Sequence, residues 1–249
     1  MSPPRSRASA ARGRSGGTPA RWILACEHAR FSLPREYRSL GLRRAEIQDH
    51  IGWDLGAHEV QREVARLLGA PYVASRWSRL LVDCNRGVEE ATLIVSTSDG
   101  VTVPGNAGVS AAERRRRLRD YYEPYHAAVD RMIRRARATA ASGPVRLLSL
   151  HSFTPVFAGN ERHFEIGVLF DEHEDLARRL GGTLRRRGYR IRYNEPYSGR
   201  DGLIYSARRH GRAHDIDYVE LEINNRLIRS AAGQRRLGRD VAVALSDVS

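Results

Sequence analysis

The chain has 249 residues, 41% of them apolar, and a formal net charge of +13. That length suits one large α/β domain with a sizeable core. No apolar run approaches the roughly 18 residues needed to cross a bilayer, and residues 1–20 lack the continuous apolar segment of a secretory signal, so a cytoplasmic, non-membrane protein is expected.

A charge of this size raises nucleic-acid binding as a possibility, because clustered cations neutralise phosphates. Here all 42 basic residues are arginine, which reads as a compositional bias, and they are scattered over helical faces such as 114–119, 134–137 and 185–187. Solvated helix surface explains such runs, so no nucleic-acid partner is expected. Cys26 and Cys84 lie in apolar runs with no second pair to complete a thiolate metal site, which predicts buried free thiols in a reducing compartment.

Residues 1–20 are rich in Ser, Arg, Gly, Pro and Ala, without an acid or an apolar period, and are expected to form a disordered tail ahead of one domain over 21–249. From Trp22 onward short apolar runs alternate with longer amphipathic segments. The pattern predicts strands at Trp22–Cys26, Tyr72–Ala74, Leu80–Asp83, Leu93–Ser96, Val145–Leu150, Phe164–Leu169, Tyr189–Tyr193 and Asp217–Ile223. Apolar spacing of three and four residues predicts helices at Leu55–Leu68, Ser110–Ala140, His173–Arg187 and Ile228–Leu245, with Ser110 and Glu113 as a capping box. Gly, Pro, Asn and Asp mark loops at 98–108 and 194–202. The alternation defines an α/β fold, a mostly parallel mixed sheet covered by helices on both faces.

In such a sheet, residues just beyond the carboxyl ends of strands line the ligand crevice. Glu27-His28 follows the first strand and His151 follows the strand 145–150, two equivalent positions in different parts of the sheet. Asp54, ahead of a helical run, reads equally well as a helix N-cap or as a ligand. Two histidines and one carboxylate leave a fourth coordination position for water, as in catalytic zinc sites. Glu220 and Glu222 alternate along a strand and so share a face. Either suits a general base beside activated water, and an exposed strand edge bearing two acids is the competing reading. In the segment 78–86, Arg79 and Arg86 are candidate carboxylate clamps, unless Asp83 and one arginine form a structural ion pair.

Ten segments occur in order: ACEHA (25–29), HIGWDLGA (50–57), SRLLVDCNR (78–86), SDG (98–100), VPGN (103–106), YEPYH (122–126), SLHSFTPVF (149–157), GVLFD (167–171), NEPYS (194–198) and ELEI (220–223). Together they resemble the N-formylglutamate amidohydrolase family over nearly all of 22–230. The resemblance implies a phosphorylase/hydrolase-like α/β fold similar to zinc carboxypeptidases and bacterial cell-wall amidases. It implies one Zn2+ per chain held by His28, Asp54 and His151, with Glu222 as the catalytic glutamate and Glu220 as the fallback. Asn85-Arg86 is similar to the pair that carboxypeptidase-like enzymes place on a substrate carboxylate, and Arg79 would assist. The implied reaction is N-formyl-L-glutamate plus water giving formate and L-glutamate, in histidine degradation. Better-known members carry a proline and a Ser-Gly around the first histidine, whereas this chain has Cys26-Glu27-His28-Ala29. The substrate therefore stays open: an amidase on another N-acyl amino acid or short peptide, or a non-catalytic anion-binding protein on the same fold, is the alternative. Glu27 stays open as the acidic ligand or as a partner orienting a metal-bound histidine.

Overall fold

The computed structural model describes residues 21–139, 143–157 and 159–249. The tail expected at 1–20 lies outside the described residues, as does Ala140 at the end of the longest expected helix. Six strands form one sheet: β1 (Arg21–Cys26), β2 (Tyr72–Ala74), β3 (Val145–Phe153), β4 (Ile166–Leu169), β5 (Ile191–Tyr193) and β6 (Asp217–Asn224), in the order β2-β1-β3-β6-β4-β5. Strands β2, β1, β3 and β6 run parallel, β4 lies antiparallel to β6, and β5 is parallel to β4. The expected mixed, mostly parallel sheet is therefore present.

Alternation along the strands divides the core. Trp22 and Leu24 of β1, Leu148 and Leu150 of β3 and Val219, Leu221 and Ile223 of β6 meet helices α1 (Ala57–Leu68), α4 (Glu174–Arg186) and α6 (Ala231–Asp247) on one face. Ile23, Leu147 and Tyr218 meet α3 (Glu123–Ala138) and α5 (Tyr205–His214) on the other. Each helix turns an apolar stripe inward, and burial of those stripes at about 25 cal/mol per Å² supplies most of the driving force. No described helix is long and apolar enough to cross a membrane.

Three expectations are corrected. The runs Leu80–Asp83 and Leu93–Ser96 are not strands: the first is a buried turn and irregular chain, and the second leaves a 3-10 turn (Ala91–Leu93) as partly buried irregular chain. Their burial is real, with Leu80, Leu81, Val82 and Leu93 all in the core. Side chains replace the missing ladder: Asn106 Nδ2 donates to the Leu80 and Val95 carbonyls at 2.8 Å each, and Arg117 Nη1 donates to Leu81 at 3.0 Å. Buried carbonyls are satisfied without a strand partner. The long helix expected from Ser110 is divided into α2 (Ala111–Arg117), a π-helical stretch Leu118–Tyr122 and α3. Ser110 caps it through Glu113 N at 3.2 Å, while the Glu113 carboxylate turns to Arg117 at 2.9 Å. Helix α5, with the sequence YSARRHGRAH, carries too few apolar residues to be read from periodicity.

Candidate active site

Because β1, β3 and β6 are parallel neighbours, their carboxyl ends bring the chemistry-bearing residues together. Register places Glu220 opposite Ser149 and Glu222 opposite His151, and the same alternation turns Ser149, His151, Glu220 and Glu222 to one face of the sheet. His28 follows β1 directly, and its carbonyl accepts the Asp54 N–H at 2.9 Å, which draws the 50–57 segment against the strand end.

Asp54 is not the N-cap of α1. That helix begins at Ala57 behind Gly56, which adopts a left-handed conformation with φ 79°. The Asp54 carboxylate is buried and points into the site: Oδ2 lies 2.8 Å from His151 Nδ1 and 3.4 Å from His28 Nδ1, and accepts Ser152 N–H at 3.2 Å. The two imidazoles present Nδ1 to each other at 3.1 Å. Their far nitrogens are held elsewhere. His28 Nε2 lies 2.7 Å from Asp83 Oδ1, and His151 Nε2 lies 2.9 Å from Glu27 Oε2.

Those outer carboxylates decide the tautomers. A carboxylate accepts, so Asp83 and Glu27 fix a proton on each Nε2 and leave each Nδ1 lone pair bare. Two bare nitrogens and one Asp54 oxygen then converge in a buried space, three acceptors with no donor between them, and all three belong to a cluster whose atoms lie within 4.8 Å of one another. A cation resolves that repulsion. The separations of 3.1, 2.8 and 3.4 Å are near the roughly 3.3 Å edge of a tetrahedron with bonds of about 2.0–2.1 Å. The donor set therefore fits zinc. Burial alone would lower the His151 pKa, yet Glu220, Asp54 and Glu27 hold it well above the ordinary value, so in the absence of a cation this ring takes a second proton on Nδ1, at the point where a metal ion would replace it.

Glu27 is placed on the outer side of His151, away from the converging lone pairs. It accepts from Ser149 Oγ and, at 2.7 Å, from Tyr125 Oη. Burial opposes its ionisation, but the bonds from His151 and Ser149 outweigh that and keep it well below the carboxylate range. Asp83 is likewise held low against burial, by His28 and by Arg79, whose Nη2 donates to Asp83 Oδ2 at 2.9 Å. The ion pair foreseen between Asp83 and an arginine exists, and the same carboxylate also orients His28. The spacing of the segment 78–86 gave no sign of that second contact.

Glu220 and Glu222 are both buried but differ in company. Glu220 Oε2 lies 3.5 Å from Asn85 Nδ2 and 3.6 Å from His151 Nε2. Glu222 Oε2 has no partner among the described residues. Burial pushes Glu220 up to about 7 and Glu222 up to about 8. A carboxyl in this state is poised to exchange a proton near neutral pH.

Of the expected substrate-binding side chains, Arg79 stands between Asp83 and Asp54, the latter 3.6 Å from Nη1. Asn85 is committed to the fold, since its Oδ1 accepts Ser206 N–H at 2.9 Å. Arg86 donates to the Asn85 carbonyl at 2.9 Å and approaches Glu90 at 3.8 Å. Tyr197, which the loop motif NEPYS marks as a residue that could close over the substrate, is half-buried, and the charges of Glu222 and Arg79 act on it. Sequence reasoning missed Arg162, whose guanidinium lies 5.5 Å from the Tyr197 ring. A cavity of about 1060 Å³ at the opposite end of β1, around Arg21, Trp22 and Pro71, contains none of these residues.

The fold and site together define an α/β protein with a buried histidine and carboxylate cluster suited to a metal ion. The sequence profile of N-formylglutamate amidohydrolase matches residues 20–229, and the chain belongs to that amidohydrolase family. Among solved structures, gene product Atu2144 from Agrobacterium tumefaciens is similar at 32% identity and a TM-score of 0.87, with 92% of this chain and 90% of that one covered. An N-formylglutamate amidohydrolase from Ralstonia eutropha JMP134 has the same fold at 20% identity and a TM-score of 0.72, covering 94% of each chain. No curated protein matches.

Proposed function

We propose that the chain is a zinc-dependent amidohydrolase that cleaves the N-acyl amide of an acidic amino acid, converting N-formyl-L-glutamate and water to formate and L-glutamate. The observation that carries this reading is the convergence of His28 Nδ1, His151 Nδ1 and Asp54 Oδ2, three bare acceptors in one buried space. One zinc held there would supply Lewis-acid polarisation and an acidified water. Family membership supports amide hydrolysis and a small-molecule substrate.

The protein's own groups supply the rest. Asp83 and Glu27 hold the two imidazoles in the tautomer that presents Nδ1 inward. Glu222, whose Oε2 has no partner among the described residues, takes a proton from the attacking water and returns it to the departing amine nitrogen; two transfers by one base balance the hydrolysis. Glu220, one register step deeper and close to Asn85, maintains the charge balance around His151. Arg79 neutralises Asp54 and Asp83 while its remaining N–H groups face the substrate, and with Arg86 it receives the α-carboxylate. Asn85 positions this corner of the site through Ser206.

Zinc-loaded protein incubated with N-formyl-L-glutamate is expected to release formate and L-glutamate in equal amounts. Zinc binding without formate release would move the substrate to another N-acyl amino acid.

A further inference from the structure

An N-acylated acidic amino acid carries two carboxylates, and the proposed reaction gives a partner to only one. Arg162 is a cation that the proposed reaction leaves unused. No carboxylate of the described residues lies within 4.0 Å of its guanidinium, which makes a long hydrogen bond of 3.5 Å to the Thr154 carbonyl and also acts on the Tyr197 hydroxyl. Three aromatic rings hold it instead: Phe157 at 4.9 Å, Phe153 at 5.5 Å and Tyr197 at 5.5 Å from ring centroid to Cζ. A half-buried guanidinium gripped by aromatic faces and lacking a counter-ion is a prepared anion site.

Its position follows from the elements that carry those rings. Phe153 ends β3 two residues beyond His151. Tyr197 sits in the loop after β5, which Asn194 pins by accepting Phe170 N–H at 2.9 Å and Gly199 N–H at 3.2 Å. The Arg162 guanidinium lies 5.5 Å from the Tyr197 ring, and the charges of Glu222, Arg162 and Arg79 act on the Tyr197 hydroxyl, whose pKa burial raises. The same loop crosses β4 at Gly167, where a Cβ would come within 1.9 Å of the Glu195 carbonyl; only glycine allows the loop to lie this close to Glu222. Arg162 also lines a groove of about 730 Å³ in which Arg185, Arg190 and Arg192 outnumber Glu161 and Glu195.

We propose that Arg162, seated on Phe153, Phe157 and Tyr197, is the specificity-determining residue that receives the side-chain carboxylate of the substrate. The assignment rests on the amidohydrolase reading above. The α-carboxylate is two bonds from the scissile nitrogen and stays with Arg79 and Arg86 on the floor. The side-chain carboxylate is further along the chain and reaches the rim past the Tyr197 ring. A bidentate guanidinium there distinguishes a carboxylate from an amide of the same shape.

The test compares N-formyl-L-glutamate with N-formyl-L-glutamine for wild type, Arg162→Ala and Arg162→Lys, together with calorimetric binding of L-glutamate to each zinc-loaded protein. Arg162→Ala is expected to lower kcat/KM for the glutamate substrate about 10- to 100-fold, chiefly through KM, and to weaken L-glutamate binding by a similar factor. The glutamine substrate should change by less than about threefold, with Arg162→Lys intermediate because it keeps charge without the planar fork. Equal losses on both substrates, or no loss on either, would overturn the assignment. Wild type that binds L-glutamate through Arg162 but releases no formate would sink the hydrolase reading and leave the carboxylate site standing. Wild type that binds no L-glutamate would overturn the site itself.

Discussion

Among the described residues, two buried histidine clusters are built from the same residue types but arranged in opposite ways. In the first, His28, His151 and Asp54 turn bare acceptors toward one point. In the second, between α3 and α5, His126 Nδ1 lies 2.8 Å from His210 Nε2, and His210 Nδ1 lies 2.8 Å from Asp130 Oδ1, which also meets His214 Nε2 at 2.9 Å. That second cluster is a line of donor-to-acceptor steps ending on a carboxylate at the helix surface. The steps can be made with neutral rings, though His126 Nε2 at the head of the line is buried without a partner among the described residues, and burial drives His126 down to about 3 while carboxylates drive His151 up. Composition therefore does not define a metal site; convergence of lone pairs does, and it is imposed by carboxylates on the far side of each ring.

The contrast can be broken most severely at the converging atoms. His28→Ala or Asp54→Ala is expected to abolish zinc retention and turnover together, whereas His210→Ala should leave zinc content at the wild-type value; zinc lost equally in both would erase the distinction. Next in size is Glu222→Gln, which should cost about 10² to 10⁴ in kcat with zinc content unchanged. A larger loss in Glu220→Gln than in Glu222→Gln would transfer the role of base to Glu220.

A smaller effect is expected at the groups that fix the tautomers. Asp83→Asn and Glu27→Gln should each weaken zinc affinity about 10- to 100-fold, because an amide no longer enforces a proton on Nε2. Competition with a chromogenic chelator measures this directly, and affinities equal to wild type would remove the orienting role.

The smallest effect concerns the second cluster. His126 packs against Tyr122, Tyr125 and Tyr205, with His210, Asp130 and Arg209 acting on it. Its folded pKa of about 3 lies below the ordinary value, so the unfolded chain binds the proton more readily. Its contribution to stability is thus complete above about pH 6.5 and is lost as pH falls toward 3. The stability difference between wild type and His126→Phe should shrink between pH 7 and pH 4.5, followed by thermal unfolding. A difference independent of pH would show that His126 does not titrate on unfolding in this range.

The parts of the site legible in the sequence are those whose position follows from strand ends. His28 and His151 each terminate an apolar run, and Glu220 and Glu222 declare their shared face by alternation. Asp54 was ambiguous because a carboxylate ahead of a helix satisfies both readings, and only its distance to His151 separates them. Asp83 was legible as a partner for arginine but not for His28, since their contact spans 55 residues and depends on an irregular segment that sequence reads as strand. Arg162 was illegible in principle, and Tyr197 was legible only as part of a loop that could close over the substrate. One follows the 156–161 hairpin and the other sits in a loop, and nothing in local pattern brings them together.

The central claim is tested most directly by zinc content after reconstitution and dialysis, measured on wild type and His151→Ala in parallel. The account predicts about one zinc per chain in wild type and little in the variant. Wild type without zinc, or equal zinc in both proteins, would contradict it.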